Sequence, residues 1–132
     1  MNFYDNAEEV RQAAIILYEN AHYRMSIYNS CLSIELYLKS KLYLMENGDD
    51  YVYTHDTVNM YQLLTKRFKF DKDIFSIIKT CRKYFNESRY PHAGTEVYTK
   101  EFAKEFLGNV ESVKSFIDND CVADITDLEN KG

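Results

Sequence analysis

Tryptophan is absent, proline occurs once and glycine four times in a chain of 132 residues. So few turn formers exclude a β-sandwich or barrel, which needs a turn every eight to twelve residues or so, and they exclude a disordered chain. The three cysteines, Cys31, Cys81 and Cys121, are odd in number and far apart. They form neither a disulfide framework nor a zinc-binding pair. His22, His55 and His92 also lack zinc spacing with one another and with the cysteines, so no metal is expected. No glycine-rich phosphate loop, no G-x-S-x-G and no paired-carboxylate strand motif is present, and no cofactor is expected. No run is apolar enough to span a membrane. The first ten residues carry Asp5, Glu8 and Glu9 where a secretory leader has basic and then apolar residues. A cytoplasmic protein with reduced thiols is the expectation.

What is there suits one core. Hydrophobic residues make up 45% of the chain, with twelve tyrosines and eight phenylalanines. Tyrosine packs its ring and still offers a hydroxyl to water or a partner. The net charge of −5 excludes a general nucleic-acid binder. Its distribution is uneven, because Lys66, Arg67, Lys69, Lys72, Lys79, Arg82 and Lys83 cluster against only Asp71 and Asp73. That face suits RNA or an acidic protein, or is a solvated helix surface.

Apolar residues recur at helical spacing along most of the chain. Val10, Ala13, Ala14, Leu17 and Ala21 predict a first helix from about Asn6 to Glu19, interrupted at Asn20. A long second helix is predicted from His22 to Glu46, with two apolar stripes. One runs through Met25, Tyr28, Leu32, Leu36, Lys39 and Tyr43, the other through Ile27, Cys31, Ile34, Leu38, Leu42 and Met45. Such a helix belongs at the centre of a bundle. "NGDD" at Asn47–Asp50 stops it. A third helix opens at "THDT" with Thr54 as N-cap and Asp56 in the first turn, and buries Val58, Tyr61, Leu64 and Phe68. A fourth opens at Asp71 or Asp73 and buries Ile74, Ile77, Ile78, Cys81 and Phe85. A fifth runs from Thr99 to about Asn119 on Phe102, Phe106, Val110, Val113 and Ile117. The expected fold is an all-α, antiparallel up-and-down bundle of about five helices. It forms a single domain over 1–119, followed by an acidic, frayed tail over 120–132.

Few residues offer chemistry. Glu35 and Lys39 share a helix face at i,i+4, as a structural pair or as a functional carboxylate and its counter-ion. His55 begins the third helix, where a histidine can join free backbone N–H groups around an anion, or simply bond a neighbour. "NESRYPHAGTE", Asn86 to Glu96, breaks the helical rhythm. Pro91 biases Tyr90 to extended geometry and ends the fourth helix near Ser88. Arg89 there either satisfies helix-end carbonyls or aims its planar fork at phosphate or carboxylate. With His92 it makes the minimal set for metal-independent RNA cleavage, one group moving a proton and the other stabilising the charged phosphorane.

"NSCLSIELYLKSKLYL", "YTHDTVNMYQLL" and "ESRYPHAGTEVYTKEFAKEFLGNVESVKSFI", in that order, resemble the HEPN family from about Ala7 to Asn119. The resemblance implies a four- or five-helix bundle that dimerises. It also implies association with a minimal nucleotidyltransferase, often in a toxin–antitoxin-like system, or metal-independent ribonuclease activity. The family's ribonucleases carry an arginine, then four to six residues, then a histidine. Arg89 and His92 have two residues between them, and Arg82 and His92 have nine. That departure favours the substrate-binding branch over an enzyme. It leaves Glu35, Lys39, His55, Asp56, Arg89 and Tyr90 as the candidate ligand-binding residues. The expected function is a non-catalytic module engaging a nucleotide, an RNA or a nucleotidyltransferase partner. The alternatives are a ribonuclease toxin using Arg89 and His92, and a dimeric scaffold.

Overall fold

The computed structural model describes residues 2–45, 54–89 and 98–122. Among them are five α-helices and no strand: α1 (Phe3–Glu19), α2 (Tyr23–Leu42), α3 (Thr57–Leu64), α4 (Lys72–Glu87) and α5 (Lys100–Ser115). A π-helical end, Phe116–Asp120, continues α5.

Local chemistry sets most of the helix ends. The side chains of Asn2, Asp56, Asp71 and Thr99 each accept a hydrogen bond from a backbone N–H of the first turn that follows. Each thereby satisfies donors that the helix itself leaves open. The cap of α3 is therefore Asp56 and not Thr54, whose hydroxyl accepts instead from the Asp56 N–H at 3.1 Å. The end of α1 also departs from expectation. Asn20 has φ −101°, and the left-handed residue is Ala21, at φ 62°. The His22 N–H reaches the Leu17 carbonyl at 2.8 Å and the Ala21 N–H reaches Tyr18 at 3.0 Å, a Schellman closure. Glycine is the usual residue at that position because a Cβ is strained there.

α2 is the axis of the bundle and packs against every other helix. Of its two apolar stripes, the one through Ile27, Cys31, Ile34, Leu38 and Leu42 is fully buried. Met25, Tyr28, Leu32 and Leu36 are only half covered. A third, small-residue line on α2 faces α1. Ser26 donates to the Ala14 carbonyl at 2.8 Å and Ser33 to the Ala7 carbonyl at 2.9 Å. Seven residues forward on one helix match seven back on the other, so the pair is antiparallel. Ala7 and Ala14 are completely buried, and their small side chains allow the close approach that these bonds require.

The other helices bury the predicted faces. Val58, Tyr61 and Leu64 of α3, Ile74, Ile78, Cys81 and Phe85 of α4, and Phe106, Val110 and Val113 of α5 all enter the core. Tyr61 ties α3 to the next helix, since its hydroxyl donates to the Asp71 carbonyl at 3.0 Å and accepts from the Asp71 N–H at 2.9 Å. The wider turn after α5 lets the consecutive residues Phe116 and Ile117 both bury, together with Cys121.

All three cysteines are buried. Burial pushes the Cys31 thiol well above its ordinary range and the Cys121 thiol up to about 12. A thiolate is the reactive form, so the native protein is expected to resist an aromatic disulfide reagent at neutral pH. Three thiols should react only after denaturation. Rapid reaction of one thiol in the native state would show that its helix opens locally.

Candidate functional site at one end of the bundle

Glu35 lies in the middle of α2 with its side chain only 2% exposed. A buried carboxylate needs a counter-charge and filled lone pairs. Lys39, one turn on and 6% exposed, donates to Oε2 at 3.1 Å. His55 supplies the second partner, its Nδ1 lying 2.9 and 3.0 Å from the two carboxylate oxygens. An ionised carboxylate can only accept, so beside it Nδ1 is the nitrogen that carries the hydrogen, which leaves Nε2 as the ring's other nitrogen. The His55 side chain is 64% exposed. The triad thus runs from a dry lysine, through a dry carboxylate, to an imidazole at the surface.

His55 can reach Glu35 because the segment before α3 is extended and ends in the Asp56 cap. The Asp56 carboxylate accepts from the Val58 N–H at 3.1 Å and the Asn59 N–H at 3.2 Å. These first-turn N–H groups are the donors expected to meet an external anion beside His55. They are already filled, so the helix start is not an open anion site. Arg82 of α4 stands 3.7 Å from the same Asp56 oxygen.

α4 brings the remaining groups. The His55 ring stacks on Phe85, with centroids 5.8 Å apart and planes 20° from parallel. The Arg89 guanidinium lies 5.4 Å from the centre of that same ring and 5.8 Å from the centre of Tyr28. Tyr28 in turn stacks on Phe85 at 5.3 Å. A guanidinium over aromatic faces is held by the ring quadrupole, which fixes its planar fork at this corner. The Ser88 carbonyl at the end of α4 is bonded by Arg24, at 2.6 Å.

Glu35, Lys39, His55, Asp56 and Arg89 therefore gather at one corner, around Phe85 and Tyr28. Tyr90 and His92 lie outside the described residues. Tyr28, Phe85 and Arg24 also belong to this corner, and the sequence does not mark them for it. Tyr28 and Phe85 read as ordinary core positions by their spacing, and nothing local to Arg24 marks a carbonyl 64 residues away. Lys39 is not at the surface of the corner, because its ammonium is buried against Glu35.

The HEPN domain model matches residues 1–120. This chain belongs to the HEPN domain family. No curated protein and no solved structure shows significant similarity to it. The five-helix arrangement of this HEPN domain agrees with the resemblance carried by its three motifs. Among the described residues, no cluster of three or more His, Cys, Asp or Glu side chains could hold a metal ion. No helix among them is long and apolar enough to cross a membrane.

A second polar cluster of the HEPN domain lies between α1, α2 and the end of α5. Lys114 donates to the Tyr4 hydroxyl at 2.7 Å and to Asp118 at 3.1 Å, and pairs with Glu8 at 3.0 Å. Tyr37 donates to Glu8 at 2.5 Å. That bond is the main cause holding the Glu8 carboxyl below its ordinary range, with Lys114 adding to it. Burial, then Glu8, pushes the Tyr37 hydroxyl up. Every member has its partners within the fold, so this cluster joins helices and leaves the corner at Phe85 as the functional candidate.

Proposed function

We propose that this HEPN domain is a non-catalytic binding module that takes a phosphate-bearing ligand, a nucleotide or an RNA, at the Phe85 corner. One observation carries the reading. Arg89 and His55 come from distant parts of the chain and rest on the same aromatic ring. Arg89 supplies a fork that matches two phosphate oxygens. His55, with Nδ1 committed to Glu35, adds an N–H from Nε2 when protonated. The Tyr28 ring, half covered, offers apolar contact to a base or ribose.

The test is a calorimetric titration with ATP, GTP and total tRNA. Arg89→Ala is expected to weaken the ligand that binds by about tenfold or more, and Arg89→Lys to recover only part, because an ammonium keeps the charge and loses the fork. A titration that shows no binding of any of the three would sink the proposal.

A further inference from the structure

The exposed face of α4 is not used by the Phe85 corner. Lys72, Lys79 and Lys83 are exposed and separated by seven and four residues, so they fall on one line along the helix. Positions 76 and 86, which complete that line, are serine and asparagine. The lysines span eleven residues, about 16 Å of helix. Continued beyond Lys83, the helix leads to Arg89 and the corner.

Aromatic faces accompany the lysines. The Lys79 ammonium stands 4.9 Å from the centre of the half-covered Phe75 ring. Phe70, at the start of the line, is 51% exposed. Its ring is braced from behind by Phe75 at 5.4 Å and Tyr61 at 5.8 Å. A large apolar ring left half in water and held rigid is a stacking platform in waiting. The hollow beside it is lined by Lys69, Asp71, Asn119 and Asp120.

We propose that single-stranded RNA runs along α4, its phosphates on Lys72, Lys79 and Lys83 and a base stacked on Phe70. The proposal rests on the reading of the corner for the class of ligand, and extends it from one phosphate to a strand. Cations in a row beside aromatic faces are what an unpaired strand needs, because every base has a π-face and every linkage a charge. An acidic peptide would suit the lysines but would be repelled by Asp71 and Asp120 beside Phe70. The Asp120 carboxylate and the Asn119 amide oxygen instead suit the N–H donors that every base, uracil included, carries on its edge. RNA presents its bases unpaired in loops and ends, where DNA is chiefly duplex.

The experiment measures binding of fluorescein-labelled uridine dinucleotide, tetranucleotide and dodecanucleotide, with ATP alongside. Four proteins are compared: wild type, Lys72→Glu/Lys79→Glu/Lys83→Glu, Phe70→Ala and Arg89→Ala. The substituted residues are exposed, and circular dichroism confirms that each variant is folded. Wild type should bind the dodecanucleotide at least tenfold more tightly than the dinucleotide. The triple variant should lose that preference while keeping its affinity for ATP. Its slope of log affinity against log salt should fall by about 2, for three phosphates on a single strand. Phe70→Ala should weaken the dodecanucleotide roughly fivefold or more.

A wild-type affinity that does not grow with length, or a triple variant that keeps the preference, overturns the track. Tighter binding of a polyglutamate peptide than of oligouridine at equal salt would overturn RNA as its occupant, and so would tighter binding of oligothymidine. Arg89→Ala separates the two readings. Loss of ATP binding with length dependence retained supports both, whereas unchanged ATP binding sinks the corner and leaves the track standing.

Discussion

Replacing Lys39 by methionine is expected to destabilise the fold by about 3–5 kcal/mol, the usual penalty for leaving a buried charge without its partner. The two side chains of the pair are 6% and 2% exposed, so water cannot take over the role of the ammonium. Methionine has nearly the volume of the lysine stem, and the loss therefore reports on charge more than on packing. The double variant Glu35→Leu/Lys39→Met should recover most of it and fall within about 1 kcal/mol of wild type, because a buried pair exchanged for apolar residues is often neutral. Urea unfolding followed by circular dichroism measures both. A single variant as stable as wild type would mean that His55 alone neutralises Glu35, and that the triad is a carboxylate–imidazole pair with a dispensable lysine.

The pair also has a positioning consequence. In the double variant His55 has no carboxylate to hold Nδ1, and its ring is already 64% exposed. Stability would then be kept while the imidazole is released.

Phe85→Ala is the second large effect, with about 3–5 kcal/mol lost on truncating a buried aromatic ring. Phe85 is 5% exposed and is the common contact of Tyr28, His55 and Arg89. Its loss removes core volume and the surface on which the corner is assembled. Phe85→Leu separates these roles. Leucine fills much of the space, so the stability loss should stay below about 1.5 kcal/mol. It has no flat face for an imidazole or a guanidinium, so ligand affinity at the corner should fall about as far as in Arg89→Ala. Unfolding measurements and the nucleotide titration together decide it. If Phe85→Leu binds ligand as wild type does, the ring is core filling and Arg89 is placed by other contacts.

Much of the fold was legible without tertiary information. Helical periodicity named the buried faces of α3, α4 and α5, Thr99 was readable as a cap and the α4 cap narrowed to Asp71 or Asp73, because a cap acts within three residues of itself; the structure selects Asp71. The shift of the α3 cap from Thr54 to Asp56 is the same local chemistry, two residues along. The left-handed turn at Ala21 was less legible, since nothing about alanine advertises positive φ. In the site, Glu35 and Lys39 could be paired from their spacing alone.

The sequence by itself determined an all-α chain, its helix ends to within a few residues and the i,i+4 pair on α2. These follow from periodicity, capping and propensity, all of which operate over about one turn of helix. The tertiary structure decided which stripe of α2 became the core and which line of serines met α1. It also carried His55 to a carboxylate 20 residues away and set it on Phe85 together with Arg89. Such contacts depend on how the helices pack against one another, and packing is set by the shapes of many side chains at once.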